Sequence, residues 1–157
     1  MSQKAKYNTS GFQLLTELKT GLVKYPILTA IKILKGQAIH DNGSGYATNT
    51  VLALTSLFLG IASATVDNTD GDSGEKYIYI IPPHPAHRFV VPCAADNIMA
   101  ITDRGSVIDL EAAGTVDNSD TNITSGPGFM VEDIDISAEA VAIVTYGYAI
   151  GRFTVVS

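Results

Sequence analysis

The sequence predicts an all-β protein, a sandwich or a barrel, on three grounds. From Ile27 onward, short runs of β-branched and aromatic residues recur roughly every 8 to 12 residues, broken by Gly, Asn, Asp and Pro. Two segments, Asp41-Asn-Gly-Ser-Gly45 and Asp67-Asn-Thr-Asp-Gly-Asp-Ser-Gly74, concentrate the residues that accept positive φ or bond nearby backbone amides, so they read as loop tips. The 14 glycines supply corners for such a fold.

The first element differs from the rest. Phe12, Leu14, Leu15, Leu18, Leu22 and Val23 mostly follow a 3.6-residue period, with Ser10 available as an N-cap, which predicts one short amphipathic helix over Ser10–Val23. Gly21, Tyr25 and Pro26 close it, because proline disfavours the helical region for the residue before it. Residues 1–26 therefore form an N-terminal arm and residues 27–157 a β domain. Within that domain, strands are expected at 27–35, 37–40, 57–64, 76–81, 88–92, 98–101, 107–111, 129–131, 140–147 and 149–156. Thr65-Val-Asp-Asn-Thr-Asp70 and Thr115-Val-Asp-Asn-Ser-Asp120 are near copies, too short to establish a repeat.

Composition narrows the function classes. At 157 residues, 46% hydrophobic and 17% charged, the chain can bury a core without disulfides or metal. A net charge of -6 argues against a nucleic-acid partner, since that affinity comes from clustered cations. Lys4, Lys6, Lys19, Lys24, Lys32 and Lys35 all precede residue 36, while most acids follow residue 66, so the N-terminal part can lie on a negatively charged surface. Cys93 is the only cysteine, which rules out an internal disulfide and fits a reducing cytoplasm. No secretory signal is read in Met1–Thr9, and the uncharged run Val51–Val66 falls short of the ~20 residues of a spanning helix. No membrane partner is expected.

Several sites fail on inspection. Gly71-Asp-Ser-Gly74 resembles the nucleophile motif of trypsin-like serine proteases, but Glu75 stands at its fifth position, and His40 lacks the usual context. His84, His87 and Cys93 form a soft ligand set without a fourth member nearby, on a connector stiffened by Pro82, Pro83 and Pro85. Asp67, Asn68, Asp70, Asp72 and Glu75 offer hard oxygens, yet an EF-hand register from Asn68 puts Ser73 at the glycine position and Tyr79 at the glutamate position. An irregular calcium site there stays open; no catalytic residue, metal or cofactor is assigned. Neither a Walker loop nor a dinucleotide fingerprint occurs, and the sequons at Asn8 and Asn122 lack a secretory route. Tyr77 with Tyr79 and Tyr146 with Tyr148 fall at strand period, so each pair shares a sheet face, suiting a protein interface or an amphipathic core rim.

The stretch Leu34-Lys-Gly-Gln-Ala-Ile-His-Asp-Asn-Gly-Ser-Gly-Tyr-Ala-Thr48, followed by Leu57-Phe-Leu-Gly-Ile-Ala-Ser-Ala64, resembles the start of tailed-bacteriophage capsid decoration proteins, the head-stabilising or cement proteins. Ala100–Leu110 and Gly128–Ile134 resemble the middle of those β modules, and Ala149–Phe153 their closing strand. The likeness spans roughly residues 33–156 and is diffuse. It implies a β-barrel or β-tulip body on the outer capsid surface of the virion, made in the host cytoplasm, binding the major capsid protein, and forming a homo-oligomer, by preference a homotrimer. It further implies an N-terminal arm reaching a neighbouring subunit, for which Lys4, Lys6, Tyr7, Phe12, Leu15 and Leu18 are the candidate contacts. Weak contacts of this kind gain avidity on a lattice of repeated sites. Two other classes compete: a carbohydrate- or receptor-binding β module of a virion, disfavoured by the lack of tryptophan, and a hydrolase, for which Asp133 and Asp135 are the nearest paired carboxylates.

Overall fold

A computed structural model describes residues 11–50, 57–92, 105, 107–113, 115–117, 128–135 and 148–154. All regular structure among them is strand: β1 (Gln13–Leu14), β2 (Val23–Pro26), β3 (Ile31–Ile33), β4 (Ala38–Asp41), β5 (Ala47–Thr48), β6 (Phe58–Ala62), β7 (Val66–Asn68), β8 (Tyr77–Ile81), β9 (Phe89–Pro92), β10 (Val107–Ala112), β11 (Thr115–Asp117), β12 (Gly128–Asp135) and β13 (Tyr148–Thr154). The all-β prediction holds. They assemble into a six-stranded sheet ordered β1-β9-β13-β12-β10-β11, a five-stranded sheet ordered β2-β8-β6-β4-β5, and the ribbon β3-β7. The strand pairs in all three are antiparallel.

The five-stranded sheet is the middle layer, as its side-chain alternation shows. Ala38 and Ile61 point into one core with Phe12, Phe89, Val91, Phe129 and Val131 of the six-stranded side. Their neighbours Ile39 and Ala62 point the opposite way, into a second core with Ile27, Ile33, Ile78 and Ile80. Burying both faces requires apolar residues at successive positions, which is why β4 and β6 read as apolar runs rather than alternating ones.

A bulge adjusts the register between these strands. Ile39 pairs with Gly60 and His40 with Phe58, leaving Leu59 as the extra residue on β6. Gly60 sits at φ 133°, and a Cβ there would run into the Ile81 carbonyl, so only glycine fits.

Two expectations are corrected. No closed barrel forms among the described residues: the edges of the middle sheet meet only at one parallel bridge, Ile27 with Ala47, and the cores lie between layers. The helix over Ser10–Val23 is absent from residues 11–23, which hold β1 and the start of β2 instead. Phe12 decides this. Its ring is buried edge-on against Phe89 and Phe129, at 6.2 and 5.5 Å between centroids, and its N–H donates to the Gly36 carbonyl at 2.8 Å. With Phe12 held there, the backbone pairs with β9 through Gln13–Val90 and Leu14–Phe89, and tertiary burial overrides the helical period of the leucines. The described part of the arm is thus woven into both main sheets. Strands expected at 98–101 and 140–147 lie outside the described residues.

The hairpin β4–β5 follows its turn chemistry. The Asp41 carboxylate accepts the Gly43 and Gly45 N–H groups at 2.7 and 3.1 Å, and Asn42 Oδ1 accepts those of Ser44 and Tyr46 at 2.9 and 3.1 Å. Both near-copy segments contribute a short strand, β7 and β11, rather than turn alone.

Candidate functional site

The candidate site is the outer face of the β2–β8 ribbon. Alternation along β8 sends Ile78 and Ile80 into the second core and leaves Tyr77 and Tyr79 outside, 47% and 50% exposed. Opposite them, Lys24 pairs with Tyr79 and Pro26 with Tyr77. The Lys24 ammonium lies 4.5 Å from the centroid of the Tyr77 ring, its diagonal neighbour, so cation and aromatic face hold each other. Ser63 clamps the Tyr79 backbone from the other side, its N–H and hydroxyl donating to the Tyr79 carbonyl at 3.0 and 2.6 Å. β2 is an edge strand of this sheet. In the residues that lead into it, Leu15, Leu18 and Leu22 are each over 40% exposed.

That leading segment is pinned at three points. The Leu15 N–H donates to the Arg88 carbonyl at 2.8 Å, the Arg88 N–H to Thr16 Oγ1 at 3.3 Å, and the Lys19 N–H to His87 Nε2 at 2.9 Å. Arg88 is itself tied to Glu132 of β12 and to the Pro85 carbonyl. These contacts hold an apolar, weakly basic surface on a rigid frame; such a surface suits burial against another protein, with each covered large side chain contributing about 1.5 to 3 kcal/mol before ordering costs.

Of the residues proposed for the arm, Leu15 and Leu18 are exposed on this segment, Phe12 is enclosed in the first core, and Lys4, Lys6 and Tyr7 lie outside the described residues. Lys24, named only among the early lysines, and Leu22, named only in the helical period, were not among the candidate contacts. The expected helix hid the alternation that places Lys24 beside the tyrosines.

The remaining candidates are absorbed by local structure. In the acidic loop, Asp67 accepts the hydroxyl and N–H of Thr69, which hold its carboxyl below the usual range, and Glu75 accepts the Asp72 N–H at 2.8 Å. The Asn68 amide donates to the Leu28 and Asp72 carbonyls at 3.0 and 3.1 Å, and Lys76 reaches the Asp67 carbonyl at 2.7 Å. Among the described residues, no group of three or more His, Cys, Asp and Glu is placed to hold a metal. Ser73 Oγ accepts the Thr29 N–H at 3.0 Å, in a loop clamp rather than beside a histidine. His84 accepts the Ala86 N–H and His87 that of Lys19, while Cys93, Tyr146 and the sequons lie outside the described residues. Asp133 and Asp135 fall in β12, and Tyr148 opens β13. No described helix is long and apolar enough to cross a membrane.

Fold and surface define an all-β protein with layered antiparallel sheets and an exposed aromatic ribbon at a sheet edge. No family model, curated protein or solved structure matches the chain.

Proposed function

We propose that this chain is a structural, non-catalytic protein that binds the outer surface of a phage capsid and stabilises the lattice of its major capsid protein, as a homo-oligomer. The observation that carries this reading is the β2–β8 ribbon, which turns two tyrosines and a lysine outward at a sheet edge. Tyrosine buries a large area at small entropic cost, which makes such a pair suited to anchoring a protein contact. Support comes also from the segments that resemble decoration proteins: 34–48 and 57–64 form the hairpin β4–β5 and strand β6 at the centre of the fold. On a capsid the same small contact is repeated many times, so modest single-site affinity suffices.

Co-sedimentation with expanded capsids that lack the protein tests this. The wild-type chain pellets with the shells, and the double variant Tyr77→Ser/Tyr79→Ser binds at least about tenfold more weakly, the equivalent of one lost anchor. Its circular dichroism and melting temperature should stay near wild type, since neither ring enters a core. A wild-type chain that stays in the supernatant overturns the reading and directs the search to glycan arrays.

A further inference from the structure

The β2–β8 ribbon is closed to one mode of docking and open to another. The Ile27 N–H donates to the Lys76 carbonyl at 2.9 Å, so residues 27, 25 and 23 turn their backbone groups toward β8, while Lys24 and Pro26 turn theirs to the outer edge. Proline has no N–H to offer and Lys24 brings a charge, two devices that keep an edge strand from accepting another strand. A partner must therefore be held by the side chains of the outer face.

The same parity makes Lys24–Tyr79 and Pro26–Tyr77 non-hydrogen-bonded pairs, in which opposing side chains stand closest. The Lys24 ammonium rests 4.5 Å from the centroid of the Tyr77 ring, and the ion pairs among the described residues, Lys19 with Glu17 and Arg88 with Glu132, do not reach it. The half-exposed hydroxyls of Tyr77 and Tyr79 have no hydrogen-bond partner among the described residues. That of Tyr25, on the inward side of the same ribbon, already donates to the Asp41 carboxylate. Residues 11–35 hold four lysines against one glutamate, in a chain whose net charge is -6.

We infer that the outer face of the ribbon is a receptor for a carboxylate: it takes an apolar segment of a partner protein that carries an Asp or Glu, whose side chain meets the Lys24 ammonium while its apolar neighbours cover the tyrosine rings. This rests on the ribbon being a docking surface and holds whichever protein supplies the segment. The Tyr77 ring keeps the ammonium in place before the partner arrives, so less side-chain freedom is lost on binding. A nucleic-acid strand fits poorly, because one ammonium neutralises one phosphate and the rest of the chain repels a polyanion.

NMR titration of the full chain at low salt with two probe peptides, acetyl-Leu-Glu-Leu-amide and its counterpart acetyl-Leu-Gln-Leu-amide, tests this without a capsid. The Tyr77 and Tyr79 ring signals and the Lys24 side chain should respond to both, with the glutamate peptide bound about two- to fivefold more tightly, the range for an exposed ion pair. In Lys24→Met, which keeps the apolar stem and lies outside both cores, the preference should vanish; in Lys24→Arg it should remain. Tyr77→Ser/Tyr79→Ser should weaken both peptides alike. Equal binding of the two peptides, no response of the ribbon to either, or a preference that survives Lys24→Met overturns the inference. So do ring signals that shift with protein concentration alone, which would give the face to a second copy of the chain. Capsid co-sedimentation reads separately: a chain that prefers the glutamate peptide and ignores capsids keeps the receptor and loses the capsid reading.

Discussion

His40 occupies an unusual position for a titratable group. It is fully buried on β4, packs edge-on against Phe58 at 5.2 Å between ring centroids, and neither ring nitrogen has a hydrogen-bond partner among the described residues. Burial alone pushes its pKa down to about 4, with no neighbouring charge contributing. The unfolded chain therefore takes up this proton near pH 6.5 and the folded chain only near 4, so stability falls as the pH drops through that window. The loss should reach about 3 kcal/mol below pH 4. Urea titrations between pH 7.5 and 4 check this: His40→Leu should flatten the curve by that amount, and an equally steep curve in the variant would place the effect elsewhere. Asp41, next along, faces the opposite way; its stabilisation is also lost as the pH falls, but from a favourable bond to its charged form and in a lower window. The hydrogen bond from the Tyr25 hydroxyl, reinforced by the Gly43 and Gly45 amides, holds its carboxyl below the usual range, so its contribution persists through the His40 window and fades only in stronger acid.

Among the elements, β1 shows how a two-residue strand can matter. Phe12, just before it, touches Phe89 of β9 and Phe129 of β12, so one side chain joins the edge of the six-stranded sheet to its centre. Phe12→Ala should cost about 3 to 5 kcal/mol, the range for an enclosed aromatic, and should raise amide exchange across 13–19 in the same sample. A change under about 1 kcal/mol would mean that β1 is held by its backbone alone. The same element marks where sequence reading ended. β4, β6, β8, β9, β10 and β12 were legible because β-branched runs and flanking turn residues agree there. β1 and β2 were not, because Leu14, Leu15, Leu18 and Leu22 carry a helical period, and only the distant Phe89 and Phe129 reveal that Phe12 is wanted in a core. β5, β7 and β11, at two or three residues each, are defined by their partners rather than by pattern. At the candidate site, the period of Tyr77 and Tyr79 was visible, but its meaning depended on Ile78 and Ile80 taking the inward face.

For the whole molecule, the middle sheet contributes residues to both cores, so neither core can form without it. The layers should therefore unfold together: calorimetric and van't Hoff enthalpies should agree, and two resolved transitions would show that the cores are separable. The sheet order carries a second consequence, for how the protein is made. β9 lies between β1 and β13, and β13 between β9 and β12, so strands from both ends of the described chain are neighbours of one central strand. During synthesis, β2 through β8 can pair as soon as they emerge, whereas β9 and β12 must wait for residues 148–154 before their shared gap is filled. Until then the rings of Phe12, Phe89 and Phe129 have an incomplete sheet behind them. A nascent chain paused before that strand is the form most exposed to sticking to its neighbours, and the rate at which residues 148–154 follow β12 out of the ribosome bears directly on yield.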